Sequence, residues 1–253
     1  MKRRKIFREL VDLNEAISRL YSNYKAEPLG IEKVNIINAI GRVAAENIYS
    51  EILVPPFDKS IVDGYAVRAR DTYSAGETNP VKLKIVERVR TGHSPKKRIS
   101  SGETSEVDTG SLIPGGADAV VPVEYAEEED GYVLIYKRVA PGQNIMAAGS
   151  DIGLGELVIS AGTVLTAREI GLLSAIGIKE VPVFRKPRVA IFSIGDELIP
   201  PGEKLSISKI YDVNSYSLYA AVIENGGEPI FLGIARGKAD EVIERIKEGL
   251  KIA

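Results

Sequence analysis

Two stretches of helical period bracket a long stretch that has none, and this contrast constrains the fold most. Residues 5–22 space Ile6, Phe7, Leu10, Val11, Ile17, Leu20 and Tyr21 as an amphipathic helix does. Helical period returns at LTAREIGLLSAIG, residues 165–177, where Thr166 and Glu169 make a capping-box pattern and Gly177 suits the stop. Between them, LGIEKVNI predicts a short extended piece, and NAIGRVAAENI, residues 38–48, predicts a second helix with Ile40, Val43 and Ala44 on one face. From about residue 52 to 145 the chain reads as short strands punctuated by Gly and Pro: VKLKIVERV, TSEVDTG and ADAVVPVEYAEEEDGYVLIYKRV. Asp130-Gly131 separates two alternating runs and predicts a hairpin turn. A β-rich block between helical pieces reads as an insertion into a domain that the chain leaves and re-enters.

Beyond RKP the pattern changes again. RVAIFSIGDEL is an apolar strand ending in a Gly-acid loop, and SYSLYAAVIENGG a helix with a Gly stop. EPIFLGIAR is a second strand, and ADEVIERIKEGL a helix with Val242, Ile243, Ile246 and Leu250 on one face. Strand, helix, strand, helix predicts a parallel α/β sheet. Two strands cannot cover both faces of such a sheet, so this part reads as incomplete. The expected organisation is multi-domain α+β. Helical parts span 1–51 and 146–182, an inserted all-β domain spans 52–145, and a truncated α/β domain spans 183–253.

Composition removes several kinds of function. The 253 residues carry a formal net charge of −2, which offers nucleic acid or an anionic membrane no basic surplus. There is no cysteine and one histidine, His93, so thiolate and His-rich metal sites are excluded and any metal would be held by oxygen, as Mg²⁺ or Ca²⁺. No apolar run reaches the ~20 residues of a membrane span, and the basic start MKRRKIFRELV lacks the apolar core of a signal peptide. A cytoplasmic protein is expected.

Four segments place acids or hydroxyls in Gly loops. PPFDKSIVDGYAVRARDT, residues 55–72, holds Ser60 and Asp63; the Asp63-Gly64 pair makes a turn without needing any function. VDTGSLIPGGADAVVPVEY, residues 107–125, sets Asp108, Thr109 and Ser111 about Gly110; it reads either as an anion-binding loop or as a β-turn leading into a strand. AAGSDIGLGE, residues 147–156, puts Asp151 between glycines, as an oxygen ligand or as part of a plain linker. SIGDEL, residues 193–198, brings Gly195, Asp196 and Glu197 to the carboxyl end of the first α/β strand, where open sheets bind ligands; the two acids could hold Mg²⁺ on a phosphate, or Asp196 could cap a turn. IYDVNS adds Asp212 and Asn214 near the next helix start, where Asn214 or Ser215 would serve as N-cap. His93, in a polar basic loop, reads as a surface residue. Acids and hydroxyls without a nucleophile–base pair suit metal-assisted handling of an anionic or phosphorylated ligand more than acyl transfer.

Taken in order, these segments resemble the molybdopterin molybdenumtransferase family, the MoeA family that includes the gephyrin E domain. PPFDKSIVDGYAVRARDT is similar to its P-x-F-D-x-S-x-x-D-G-Y-A signature, and DTGSLIPGGADAVVPVE to its T-G-x-x-x-P-x-G-A-D-A-V segment. GSDIGLGELVISAGTVLTAREIGLLSAIGIKEVPV and VAIFSIGDEL resemble its return segment and GDEL loop. The resemblance implies an elongated helical domain that is discontinuous, an inserted β domain and a three-layer α/β domain, here incomplete. It implies insertion of molybdate, or tungstate, into adenylylated molybdopterin with release of AMP, supported by Mg²⁺. It implies a homodimer through the helical domain, with the cleft shared between subunits and the molybdopterin adenylyltransferase as a possible partner. Carried over by position, the catalytic residues are Asp63, Thr109, Asp151 and Glu197, and the metal ligands Asp196 and Glu197. Ser60, Gly110, Ser111, Gly195, Asp212 and Asn214 fall on the substrate side. The family's later G-G-x-S-x-G segment and barrel domain are absent from these residues, so the chain is expected to be an N-terminal portion, inactive alone. A non-catalytic dimeric scaffold of the same family is the alternative, and a generic nucleotide-binding α/β protein a third reading.

Overall fold

A computed structural model describes residues 10–253. The part of the first predicted helix before residue 10 lies outside the described residues. Helix α1, Leu13–Asn23, begins where the Asp12 side chain accepts the backbone N–H of Glu15 at 2.8 Å. None of its residues is buried.

The chain divides into two compact units. One takes in the described residues up to Val34, Gly41–Ala45 and Pro182–Ala253; the other holds Asn35–Ile40 and Glu46–Val181. The second, the β unit, is built on six strands: β1 Gly64–Val67, β2 Val81–Val89, β3 Glu103–Val107, β4 Ala119–Pro122, β5 Ala126–Glu129 and β6 Tyr132–Ile135. Their order across the sheet is β4-β1-β3-β2-β6-β5. All neighbours run antiparallel except β2 and β3. Alternation along the strands fills both faces. Tyr65, Val67, Leu83, Val121, Val133 and Ile135 form one core, and Ala66, Val89, Val107, Ile113 and Val120 the other.

The hairpin at Asp130-Gly131 forms as the sequence predicts. Glu129 faces Tyr132, and both turn residues take positive φ, 49° and 79°, the pair of values a two-residue primed turn requires. The Asp63-Gly64 pair behaves differently. Gly64 is the first residue of β1, set between Val107 and Pro122, and its φ is not positive. A Cβ there would lie 2.1 Å from the carbonyl oxygen of Val121. Close strand approach, rather than a tight turn, demands glycine here.

Helix α2, Ala167–Ala175, carries the predicted capping box: Glu169 Oε2 accepts the Thr166 N–H at 2.9 Å and also the Thr166 hydroxyl. Gly177, at φ +78°, ends it as expected. The helix expected over residues 38–48 does not form. A single 3₁₀ turn, Ile36–Asn38, is followed by Gly41 at φ +71°, which a continuing helix cannot hold. Beyond it the chain is extended and pairs instead: Ala45 N–H donates to Pro182 O at 3.0 Å, and Phe184 N–H to Val43 O at 2.9 Å. The extended piece expected before it is the strand Ile31–Asn35, paired with Glu180–Phe184.

In the α/β unit, β7 Arg188–Ile194 and β8 Glu228–Ala235 pair in parallel, joined through α3 Asn214–Glu224 and followed by α4 Ala239–Ile252. Gly249 brings α4 close to the sheet; a Cβ there would lie 3.0 Å from that of Ala190. Ile243, Ile246 and Leu250 stay exposed along α4. Among the described residues no helix is long and apolar enough to cross a membrane.

Candidate functional site

The β unit draws three of the quoted segments together by backbone bonds. Lys59 and Ser60 pair on one side with Met146 and Ile145. On the other side Lys59 bridges to Leu112, and Gly110 N–H donates to Ser60 O at 2.8 Å. Farther along, Val54 bridges to Ile152, Asp151 N–H donates to Val54 O at 2.9 Å, and Gly149 N–H to Pro55 O at 2.9 Å. Asp58 joins both neighbours to this central run: its carboxylate accepts Ala148 N–H at 2.8 Å and its carbonyl accepts Ile113 N–H at 3.0 Å. The sequence reading gave Asp58 no role, although it stands at the fixed aspartate of the P-x-F-D-x-S pattern.

At the end of that run stands Asp63, exposed, with Oδ1 accepting both the N–H of Thr109 at 2.6 Å and its hydroxyl at 2.9 Å. These two bonds, the backbone one first, hold its carboxyl below the ordinary range despite a small opposing effect of burial. Oδ2 accepts no hydrogen bond among the described residues. The other candidate donors are engaged within the loops. Ser60 and Ser111 are buried; their hydroxyls donate to Val62 O at 2.5 Å and Asp108 O at 2.6 Å. Gly110 sits at φ +83°. Around Thr109 the sequence reading also missed a rim from the loop after β2. Thr91 donates to Thr109 O at 2.7 Å, and Arg90 pairs with Asp108 at 2.6 Å. His93 is exposed, its Nδ1 3.3 Å from Thr91 O. Asp151 is exposed on the loop stitched to Val54.

The remaining candidates lie in the α/β unit, at the carboxyl ends of β7 and β8. Gly195 N–H donates to Ala235 O at 3.1 Å, tying the loop after β7 to the end of β8. The carboxylate of Glu197 folds back over Gly195, its oxygens 2.8 and 2.9 Å from where a Cβ would stand. Asp196 Oδ1 accepts Gly237 N–H at 3.3 Å, and its carbonyl accepts the Lys209 ammonium at 2.5 Å. A cleft of about 290 Å³ opens here, walled by Gly195, Asp196, Glu203, Lys209, Ile234 and Arg236 among others. Lys209, Arg236 and Glu203 were not singled out in the sequence.

Asp212 is buried. Burial pushes its carboxyl up, but hydrogen bonds from the Ser215 hydroxyl, Ser193 Oγ at 2.7 Å and the Ser215 N–H at 3.2 Å outweigh it and hold the group low. It thereby caps α3 and fastens it to β7, the task expected of Asn214 or Ser215. Asn214 is exposed at the helix start. Among the described residues no three or more His, Asp or Glu side chains gather as a metal-holding group. Asp196 and Glu197 are carboxylates, the donor type that Mg²⁺ takes together with phosphate and water.

The chain matches a family model described as the MoeA N-terminal region (domain I and II) over residues 11–177. It is 36% identical over 219 residues to a molybdopterin molybdenumtransferase of Nostoc sp., covering 87% of this chain and 50% of that one. Against the molybdopterin molybdenumtransferase of Bacillus subtilis it is 34% identical, over 95% of this chain and 56% of the relative. A crystal structure of a molybdopterin biosynthesis MoeA protein from Pyrococcus horikoshii superimposes with a TM-score of 0.83 at 44% identity, over 97% of this chain and 62% of that one. The chain thus spans between half and two thirds of the length of these relatives.

Proposed function

The chain belongs to the MoeA family, matched in its N-terminal region, and on that premise we propose that it serves molybdenum cofactor biosynthesis, in the insertion of molybdate or tungstate into adenylylated molybdopterin with release of AMP. The observation that carries this reading is the stitching of residues 108–113 and 144–152 onto residues 54–63 by backbone bonds, with the Asp63–Thr109 pair at one end of that run. The three segments are far apart in sequence, and the bonds that join them leave one carboxylate oxygen of Asp63 facing outward.

Cleaving a phosphoanhydride and moving an oxyanion need charge placement more than a protein nucleophile. Asp63, kept ionised by Thr109, orients the reacting end and accepts a hydrogen bond at Oδ2. Thr109 acts through Asp63, since its own donors are spent on that carboxylate. Asp151 presents a second acceptor on the return loop. Gly195 lets the Glu197 carboxylate lie flat against the backbone, and Asp196 and Glu197 are the residues that would hold Mg²⁺. When bound, Mg²⁺ neutralises phosphate charge. Asp212 and Asn214 set the start of α3 beside that loop. The unburied apolar face of α1 supports a homodimer, and the same feature favours the second reading, a dimeric scaffold without catalysis.

The test joins these 253 residues to the remainder of the Pyrococcus horikoshii relative and measures molybdenum transfer into adenylylated molybdopterin. Asp63→Ala should lower the rate by about a hundredfold or more, in line with the loss of one preorganised polar group. An unchanged rate would exclude a role for Asp63, and a chimera that folds but never inserts metal would favour the scaffold.

A further inference from the structure

We propose that Lys209 and Arg236 form a phosphate-recognition pair in the cleft at the carboxyl ends of β7 and β8. The two cations come from different loops and meet on the wall of one cavity of about 290 Å³. The Lys209 ammonium rests on a neutral acceptor, the carbonyl of Asp196, at 2.5 Å. Among the described residues neither Lys209 nor Arg236 makes an ion pair, whereas Arg42, Arg88, Arg90, Arg168 and Arg245 each sit on a carboxylate. Hydrogen bonds fasten the loops that carry them. Gly237 N–H donates to Asp196 Oδ1 at 3.3 Å, fastening the Arg236 loop to the loop after β7, and the Tyr211 hydroxyl donates to Glu203 O at 3.0 Å, fastening the loop that ends in Lys209.

A planar guanidinium fork and a point-charge ammonium on one wall suit a tetrahedral phosphate, the fork taking two oxygens and the ammonium a third. Asp196 and Glu203, on the same wall, oppose an anion and so give the inference a second direction in which it can fail. The proposal rests on the preceding reading only for the identity of the ligand: a phosphomonoester of either the nucleotide or the pterin side shares this chemistry.

Calorimetric titration of the 253-residue chain with inorganic phosphate, AMP and adenosine, at low and high salt, separates recognition of the phosphate from recognition of the nucleoside. AMP should bind and weaken with salt, phosphate should bind more weakly, and adenosine should not bind. Lys209→Gln and Arg236→Gln should each weaken AMP by about tenfold or more, the usual size for a lost charge-assisted bond. Glu203→Gln should tighten it, and Lys204→Gln, a charge removed from the same loop away from the cleft wall, should leave it unchanged. Melting curves of each variant check that the fold survives. The proposal is overturned if the variants bind AMP as the parent does, if adenosine binds as well as AMP, or if the parent binds neither phosphate nor AMP at millimolar concentration. The insertion assay on the chimera is independent: a chimera that folds but never inserts metal, with AMP bound by the parent and lost in Lys209→Gln, would sink the functional reading and leave the phosphate pair standing.

Discussion

The carboxylate of Glu169 answers to several donors at once. The Thr166 hydroxyl, then the Thr166 N–H and the Arg168 guanidinium, favour its ionised form and hold it at about 2, although its side chain is nearly buried. A folded-state value below the unfolded one means stability that is fully present above the ordinary carboxylate range of about 4 and lost as pH falls through about 2. Glu169→Gln should therefore flatten the acid limb of stability between those values, read as melting temperature against pH; an acid limb as steep as the parent's would refute the assignment. This residue was legible in the sequence because a capping box is local, complete within four positions. Lys209 and Arg236 were not legible for the opposite reason. Each looks like an ordinary surface charge until the fold shows which loop it faces.

Among the elements, β1 is the one on which the site depends most. Gly64 begins it with the Val121 carbonyl where a Cβ would stand, and Asp63 immediately precedes it. Gly64→Ala should cost about 1–3 kcal/mol in denaturant unfolding, the range for forced overpacking. It should also loosen the Asp63–Thr109 bonds, visible as a shift in the Thr109 amide resonance. A variant as stable as the parent would show that the strand yields easily. The sequence named the right residue here for the wrong reason, since Asp-Gly spells a turn unless one knows that a neighbouring strand lies close. The same blindness explains residues 38–48, whose spacing alone suits a helix. Gly41 and the waiting partner at 182–184 decide otherwise, and a partner some 140 positions away leaves no local trace. The hairpin at Asp130-Gly131 and the parallel pair β7–β8 were legible, because turn chemistry and strand–helix alternation are written locally.

For the whole molecule, the candidate residues divide between the two units: Asp63, Thr109 and Asp151 in one, Asp196, Glu197, Lys209 and Arg236 in the other. The order of the segments along the chain gave the family resemblance, but no periodicity could show which residues would be gathered within a unit. α1 belongs to this scale too. Leu13, Ile17, Leu20 and Tyr21 are exposed on a helix none of whose residues is buried among the described residues. The proposed homodimer would cover them. Sedimentation velocity should find a dimer for the parent and a monomer for the double variant Ile17→Glu, Leu20→Glu. A monomeric parent at micromolar concentration would end the dimer reading.

The outgoing and returning chains around the β sheet run beside each other for a long way. Ile48–Tyr49 pairs with Leu157–Ile159, Val54 meets Ile152, and Lys59–Ser60 pairs with Ile145–Met146. The polypeptide enters and leaves the sheet through one zipped doorway. A region attached in this way is interchangeable: it can be lengthened, trimmed or replaced by a related one while the rest of the chain keeps its path. Grafting at the Ile48/Ile159 step is thus the natural cut for swapping this region between relatives, and evolution had the same cut available.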